Sequence, residues 1–212
     1  MEKSFTEQDS LRIINEMIAQ AQNNYRKGAG SYSIFWGYFI AGLAILHLVL
    51  LHIFISNDVS PAYTSYVWFI TFPVAVIYFI YIKAQSKKKM MVVTHIDKII
   101  SNIWIAFAVS CFTFILILYL YSYTFGINNM GYLSCPVILL LLGLAQAASA
   151  AALRFKLYYY AAGIFWVGSI LSMLVLMLFN RGDIQLAIMA ACMILGLCLP
   201  GHLLNRKAEQ NV

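Results

Sequence analysis

The sequence predicts an all-α polytopic membrane protein, a six-transmembrane-helix bundle with an N-terminal cytoplasmic amphipathic helix. Six apolar stretches fill the chain from Tyr32 to Leu204, and each has about the 20 residues that a helix needs to cross ~30 Å of hydrocarbon. Hydrophobic residues make up 62% of the chain and charged residues 10%, whereas soluble domains carry about 25% charged residues. The stretches have neither a polar face at helical period nor strand-like alternation, which excludes a soluble helical protein and a β-barrel.

The chain divides into residues 1–30, a cytoplasmic amphipathic helix and linker, residues 31–205, the transmembrane domain, and residues 206–212, a cytoplasmic tail. The predicted spans are Tyr32–Ser56, Ala62–Ile82, Ile103–Phe125, Leu133–Leu153, Leu157–Phe179 and Ile184–Leu204. Because every backbone amide in hydrocarbon needs an internal partner, we expect each span to be helical.

The formal charge of +6 is distributed unevenly along the chain. Of the 14 Lys and Arg residues, 13 fall on one side of the predicted bundle, and Arg181 is the exception. Basic residues near span ends stay on the cytoplasmic side, so we expect both termini to be cytoplasmic. The positive charge then indicates contact with anionic membrane lipids and excludes nucleic acid as the expected partner.

The N-terminal segment is the main polar region. Ser4 and Glu7 match a capping box, and an apolar stripe follows at helical spacing, in which Leu11, Ile14 and Ile18 are the candidate partner-docking residues. Such a helix can lie in the head-group layer, pack under the bundle as a cap, or dock on a cytoplasmic protein partner.

The loop between spans two and three carries Lys87, Lys88 and Lys89, which we interpret as lipid head-group contacts. Thr94 and Asp97 then indicate a second helix start, with apolar residues leading directly into span three. We therefore expect span three to be a longer helix that projects beyond the membrane.

Small residues indicate which spans form the interior, because they let helix backbones approach closely in lipid. They recur at intervals of four in span four, in span six and at Gly37 and Ala41 of span one. Spans two and three carry bulkier side chains. We expect spans four, six and one inside, and spans two and three more exposed to lipid.

Three polar residues within the spans are candidate ligand-binding residues. His47 is the most deeply placed ionisable side chain, Gln146 is a side-chain amide deep within span four, and Ser149 lies beside it among small residues. Buried polar groups of this kind are expensive in a membrane. Each can contact a ligand, or can form a hydrogen bond with a neighbouring helix.

The sequence carries no motif that predicts catalysis. HExxH, GxSxG, paired carboxylates and a phosphate-binding glycine loop are all missing, and the four cysteines lack metal-ligand spacing. We expect a protein that is not an enzyme, with no catalytic residues, no cofactor and no metal site.

Five short motifs stand out along the chain: Ser10–Ile18, Phe35-Trp36-Gly37, Thr94–Asp97, Cys192–Gly196 and Pro200-Gly201. Together they resemble those of an uncharacterised family of small bacterial six-span integral membrane proteins. The resemblance covers nearly the whole chain and implies a location in the bacterial inner membrane. That family has no established activity, so nothing about mechanism is implied.

Two hypotheses about function remain. In the first, a ligand or the lipid environment changes helix packing, and the N-terminal helix passes this change to a cytoplasmic partner. In the second, the chain is a permease subunit that acts as a homodimer, driven by a separate ATPase. A transport protein needs a continuous polar path, whereas a sensor needs only a closed pocket.

Overall fold

The computed structural model describes residue 12 and residues 30–88, 95–126 and 130–210, without the side chains of residues 85–88, 130 and 208–210. The predicted N-terminal amphipathic helix therefore lies almost entirely outside the described residues, and Leu11, Ile14 and Ile18 lie outside them. Lys87 and Lys88 belong to a described helix, but their side chains are not described, and Lys89 lies outside.

The described part of the chain is all-helical and contains no strand. In chain order its elements are α1 (Ser31–Ser56), a 3-10 segment (Pro61–Ile70), α2 (Thr71–Lys88), α3 (His95–Phe125), a 3-10 turn (Met130–Leu133), α4 (Ser134–Leu153), α5 (Lys156–Phe179), α6 (Gly182–Met193), a π-helical turn (Ile194–Cys198) and α7 (Leu199–Gln210).

Six of the helical stretches in this part are long and apolar enough to cross a membrane. Span two joins the 3-10 segment to α2, and span six joins α6, the π-helical turn and α7. The all-helical class and the six long apolar helices are confirmed for the described residues, whereas the N-terminal amphipathic helix and insertion into a membrane stay predictions. The longer third helix is also confirmed, because α3 has 31 residues and begins at His95.

Span two begins with ten residues in 3-10 geometry, Pro61–Ile70. At the end of this segment, the ring of Pro73 would clash with the carbonyl of residue 69 in a regular α-helix, which favours a tighter turn at that point. The N–H of Thr71 donates to the carbonyl of Trp68, three residues back. Runs of 3-10 helix beyond three or four residues are uncommon because their hydrogen-bond geometry is poorer.

The core of the bundle lies between spans four, six, five and one. Leu139, Ala44 and Phe165 are fully buried there, together with Met193 and Leu197 of span six. In spans two and three, no residue of the most apolar stretch is buried. The expected interior position of spans four, six and one and the exposure of spans two and three agree with this arrangement.

The sequence pattern assigned no position to span five, and the structure places it in the core. In span five, a larger share of the most apolar stretch is buried than in span one. The reason is complementary size, since a Cβ added at Gly196 of span six would lie 2.5 Å from the ring of Phe165. Small residues on one helix accommodate a large residue on the next, and a search for small residues alone misses that partner.

Aromatic side chains attach spans two and three to span one near the end where α1 begins. Phe35 and Tyr78 stack with ring centroids 4.2 Å apart, and Tyr32 meets Trp104 of α3 edge-on at 5.7 Å. Aromatic pairs contribute about 0.5–1.5 kcal/mol each beyond their buried area. The peripheral hairpin is therefore held at this end by ring packing.

Candidate functional site

The three candidate ligand-binding residues occupy two separate places. His47 of α1 contacts the 3-10 segment of span two. Gln146 and Ser149 of α4 are buried, and Gln146 contacts the π-helical turn of span six. The structure therefore does not place them in a single pocket.

His47 is held by two side chains of span two. The indole Nε1 of Trp68 donates to His47 Nδ1 at 2.9 Å, and His47 Nε2 lies 3.0 Å from the hydroxyl of Thr64. An indole N–H is a donor only, so Nδ1 must be the unprotonated nitrogen and Nε2 carries the hydrogen. Thr64 accepts that hydrogen and donates its own to the carbonyl of Pro61 at 2.6 Å.

The 3-10 geometry of span two places both partners on the face toward α1. Thr64 is buried, at 2% exposure, whereas the neighbouring Tyr63 and Tyr66 are exposed. Trp68 packs against the main core cluster. These polar contacts form in the half of α1 that approaches span two, away from the aromatic packing at its beginning.

Gln146 meets the irregular part of span six. Its side-chain amide donates to the carbonyl of Gly196 at 3.4 Å. Pro200 stands four residues after Gly196 and has no N–H, so that carbonyl lacks its usual α-helical donor. Span six responds with a π-helical turn, in which the N–H of Leu199 reaches back to Ile194. Gln146 thus supplies from another helix a hydrogen bond that the proline removes.

The hydroxyl of Ser149 and the side-chain oxygen of Gln146, which lie near this contact, differ in their hydrogen bonding. Ser149 donates to the carbonyl of Ala145 in its own helix at 2.8 Å. The side-chain oxygen of Gln146 is buried and has no hydrogen-bond partner among the described residues. Ligand contact by Gln146, Ser149 or His47 stays a prediction.

The ends of spans one and six are joined where the N-terminal segment enters the bundle. The N–H of Gly30 donates to the side-chain oxygen of Asn205 at 2.8 Å, and Asn205 also contacts the Ser31 hydroxyl at 3.4 Å. Gly30 and Gly201 are in backbone contact, since a Cβ on Gly30 would lie 2.8 Å from the carbonyl carbon of Gly201. Any shift of α7 at this point displaces the residue that follows the N-terminal segment.

Sequence reasoning missed two polar residues of span six that the structure uses. Gln185 is buried and donates to the carbonyl of Ser172 at 3.1 Å. Asn205 follows the predicted end of span six at Leu204, and its contact with Gly30 was not predicted. The signal for Gln185 was its place inside an apolar run, where an amide must find a partner.

A groove of about 370 Å³ lies between α4 and α5. Its lining is apolar apart from Ser169, whose hydroxyl donates to the carbonyl of Pro136. In the described ranges, no set of three His, Cys, Asp or Glu side chains is placed to hold a metal ion. The cysteines at 111, 135, 192 and 198 are free thiols.

The bundle was compared with known proteins at the level of family, sequence and structure. No protein-family model matches the chain, and no curated protein and no solved structure is significantly similar to it. The resemblance to a bacterial six-span family therefore stays a prediction, and function must be argued from the contacts described above.

Proposed function

We propose that the chain is a non-enzymatic, multi-pass regulatory bundle of the bacterial inner membrane that senses a ligand or the lipid environment. In this proposal both termini are cytoplasmic, and the N-terminal segment docks on a cytoplasmic partner through Leu11, Ile14 and Ile18. The observation that carries the proposal is the junction of Gly30 with Asn205. It links the C-terminal end of that segment directly to span six.

Span six is suited to act as the responsive element. Its π-helical turn and Pro200 interrupt the regular helix, and π turns of this kind are frequent at functional sites. Gln146 holds the interrupted carbonyl through a long hydrogen bond of 3.4 Å. A change of packing at this turn alters the position of α7, and Asn205 transmits it to Gly30.

Lipid composition is the first input to test, because the basic residues concentrate on one side of the bundle. Hydrogen–deuterium exchange of residues 1–29 is measured in nanodiscs of zwitterionic lipid and of lipid with added phosphatidylglycerol. We expect exchange in this segment to differ between the two compositions, and Asn205→Ala to reduce that difference. Asn57→Ala is the matched control, because within the described residues the Asn57 side chain bonds to its own end of α1, at Ile53 and Ser56.

Partner docking has a separate test. Native mass spectrometry of protein released in mild detergent identifies retained lipids, ligands or proteins. A specific cytoplasmic protein retained by the wild type and lost from the Leu11→Asp, Ile14→Asp variant supports docking.

Equal exchange of residues 1–29 in all lipids, together with no effect of Asn205→Ala, refutes the coupling.

The permease alternative makes a different prediction. It requires a polar path through a homodimer, whereas the groove between α4 and α5 is lined by apolar side chains. If the same mass spectra show a defined dimer bound to an ATPase, transport would replace sensing as the proposed function. Reporter fusions at the C terminus test the proposed orientation, in which both termini are cytoplasmic. A C terminus outside the cytoplasm contradicts that orientation.

A further inference from the structure

We propose that His47 is a proton-operated switch that controls how tightly span two is attached to the bundle. The switch consists of His47, Thr64 and Trp68, and its input is the pH on the side of the membrane where Pro61 lies. The switch acts at the contact between spans one and two. It does not depend on the proposed coupling through Gly30 and Asn205.

The hydrogen-bond directions fix the state of the imidazole. Trp68 donates to Nδ1 at 2.9 Å, so the ring is neutral with its hydrogen on Nε2. That hydrogen lies between Nε2 and the Thr64 hydroxyl, which are 3.0 Å apart. The Thr64 hydroxyl donates its own hydrogen to the carbonyl of Pro61 at 2.6 Å. Each contact has one donor and one acceptor, so the set is complete only with neutral His47.

Protonation makes this arrangement impossible. An imidazolium carries hydrogens on both nitrogens, so Nδ1–H would face the indole N–H of Trp68. Neither group can accept, and Trp68 must move away from His47. The bond from Nε2 to Thr64 can persist, which makes the loss specific to one side of the ring.

Span two is the element free to respond. α1 is packed against span six, where a Cβ on Gly37 would lie 2.5 Å from Cys198. In the 3-10 segment only Thr64 is buried. The backbone hydrogen bonds of the 3-10 segment have the weaker geometry of 3-10 turns. Loss of the Trp68 contact therefore loosens the 3-10 segment and leaves the core in place.

Other titratable groups lie near this end of the bundle. On α1, His52 lies 4.0 Å from Asp183 of α6, which Arg181 already holds in a two-point ion pair. On the 3-10 segment, Tyr63 and Tyr66 are exposed. His47 differs from these groups because its hydrogen-bond partners among the described residues, Thr64 and Trp68, do not titrate between pH 5 and pH 8.

The test uses protein in nanodiscs labelled with 15N at the indole nitrogens. The chain has four tryptophans, and Trp68→Phe assigns the resonance of Trp68. Between pH 8 and pH 5 we expect that resonance to shift or broaden while the other three stay in place. His47→Gln is the matched control, because its amide can accept from Trp68 and donate to Thr64 but takes up no proton.

A second measurement does not depend on the folding of the His47 variant. Hydrogen–deuterium exchange of residues 61–70, corrected for intrinsic rates, should increase several-fold from pH 8 to pH 5 in the wild type. In Trp68→Phe it should already be raised at pH 8 and change little with pH. A Trp68 resonance that stays constant in the wild type, or that moves equally in His47→Gln, overturns the switch. Exchange that is independent of pH in the wild type also overturns it.

Discussion

Gly30→Ala is the substitution that most directly tests the contact between the first and sixth spans. Gly30 has φ −82° and ψ −11°, a conformation that alanine adopts without strain. Space is what is lacking, because the new Cβ would overlap the carbonyl oxygen of Gly201 and lie 2.8 Å from its carbon. Both are backbone atoms, so no side-chain rotation relieves the clash.

The expected cost follows from this geometry. The beginning of α1 and α7 must separate by on the order of 1 Å, and overpacking of this kind costs about 1–3 kcal/mol. The separation also breaks the 2.8 Å hydrogen bond from Gly30 to Asn205, and interhelical hydrogen bonds in membranes average about 0.6 kcal/mol. We expect the free energy of unfolding to fall by about 1.5–3.5 kcal/mol, at least a tenfold change in the folded-to-unfolded ratio.

The assay is unfolding in mixed micelles by titration with sodium dodecyl sulfate, followed by circular dichroism. Gly42→Ala on the same helix is the control, since a Cβ there has nothing within 4 Å. Its free energy of unfolding should stay the same or rise by up to about 1 kcal/mol, because alanine favours a helix over glycine. Gly201→Ala should fall between the two, since a Cβ there would lie 2.8 Å from Cγ1 of Ile34 and 3.0 Å from the carbonyl oxygen of Gly30, a less severe overlap than that at Gly30.

Equal free energies of unfolding for Gly30→Ala and Gly42→Ala would refute the reasoning. They would show that α1 and α7 are not in backbone contact at this point. The proposed coupling of the N-terminal segment to span six would then lose its main support.

Three further substitutions test other contacts. Gly196→Ala brings a Cβ to 2.5 Å from the ring of Phe165, so the free energy of unfolding should fall by about 1–3 kcal/mol, and Phe165→Leu in the same chain should restore part of the loss. Gln185→Ala removes a buried interhelical hydrogen bond and a packed methylene, and should cost about 1–2 kcal/mol in the same titration, since the two contribute about 0.6 and about 0.8 kcal/mol. Asp183→Asn breaks the exposed ion pair with Arg181, and exposed pairs contribute little, so the unfolding midpoint should be unchanged; a clear shift would show a role beyond this pair.

Much of the fold was predictable because it depends on sums over about 20 residues. The six spans, the long helix before Phe125 and the exposure of spans two and three all follow from apolar length and residue size. These quantities do not depend on how one helix is rotated against another. Small errors at the span ends, of one to three residues outside span three, do not change the architecture.

The candidate site was only partly predictable. The sequence identified His47 and Gln146 as polar residues that need partners, but not the partners themselves. Trp68 and Gly196 lie 21 and 50 residues away along the chain. Which residue faces which depends on helix rotation and depth, and these are set by contacts such as Phe165 against Gly196.

The sequence by itself determined that the described part of this chain is all-helical, how many apolar helices that part has and where each lies, because hydropathy and helix length are local properties. Only the tertiary structure decided that span five belongs to the core, that His47 is neutral between Thr64 and Trp68, and that Gly30 is joined to Asn205. The physical reason is that hydrogen-bond direction and close packing are properties of pairs. A pair is defined only when two helices are in contact.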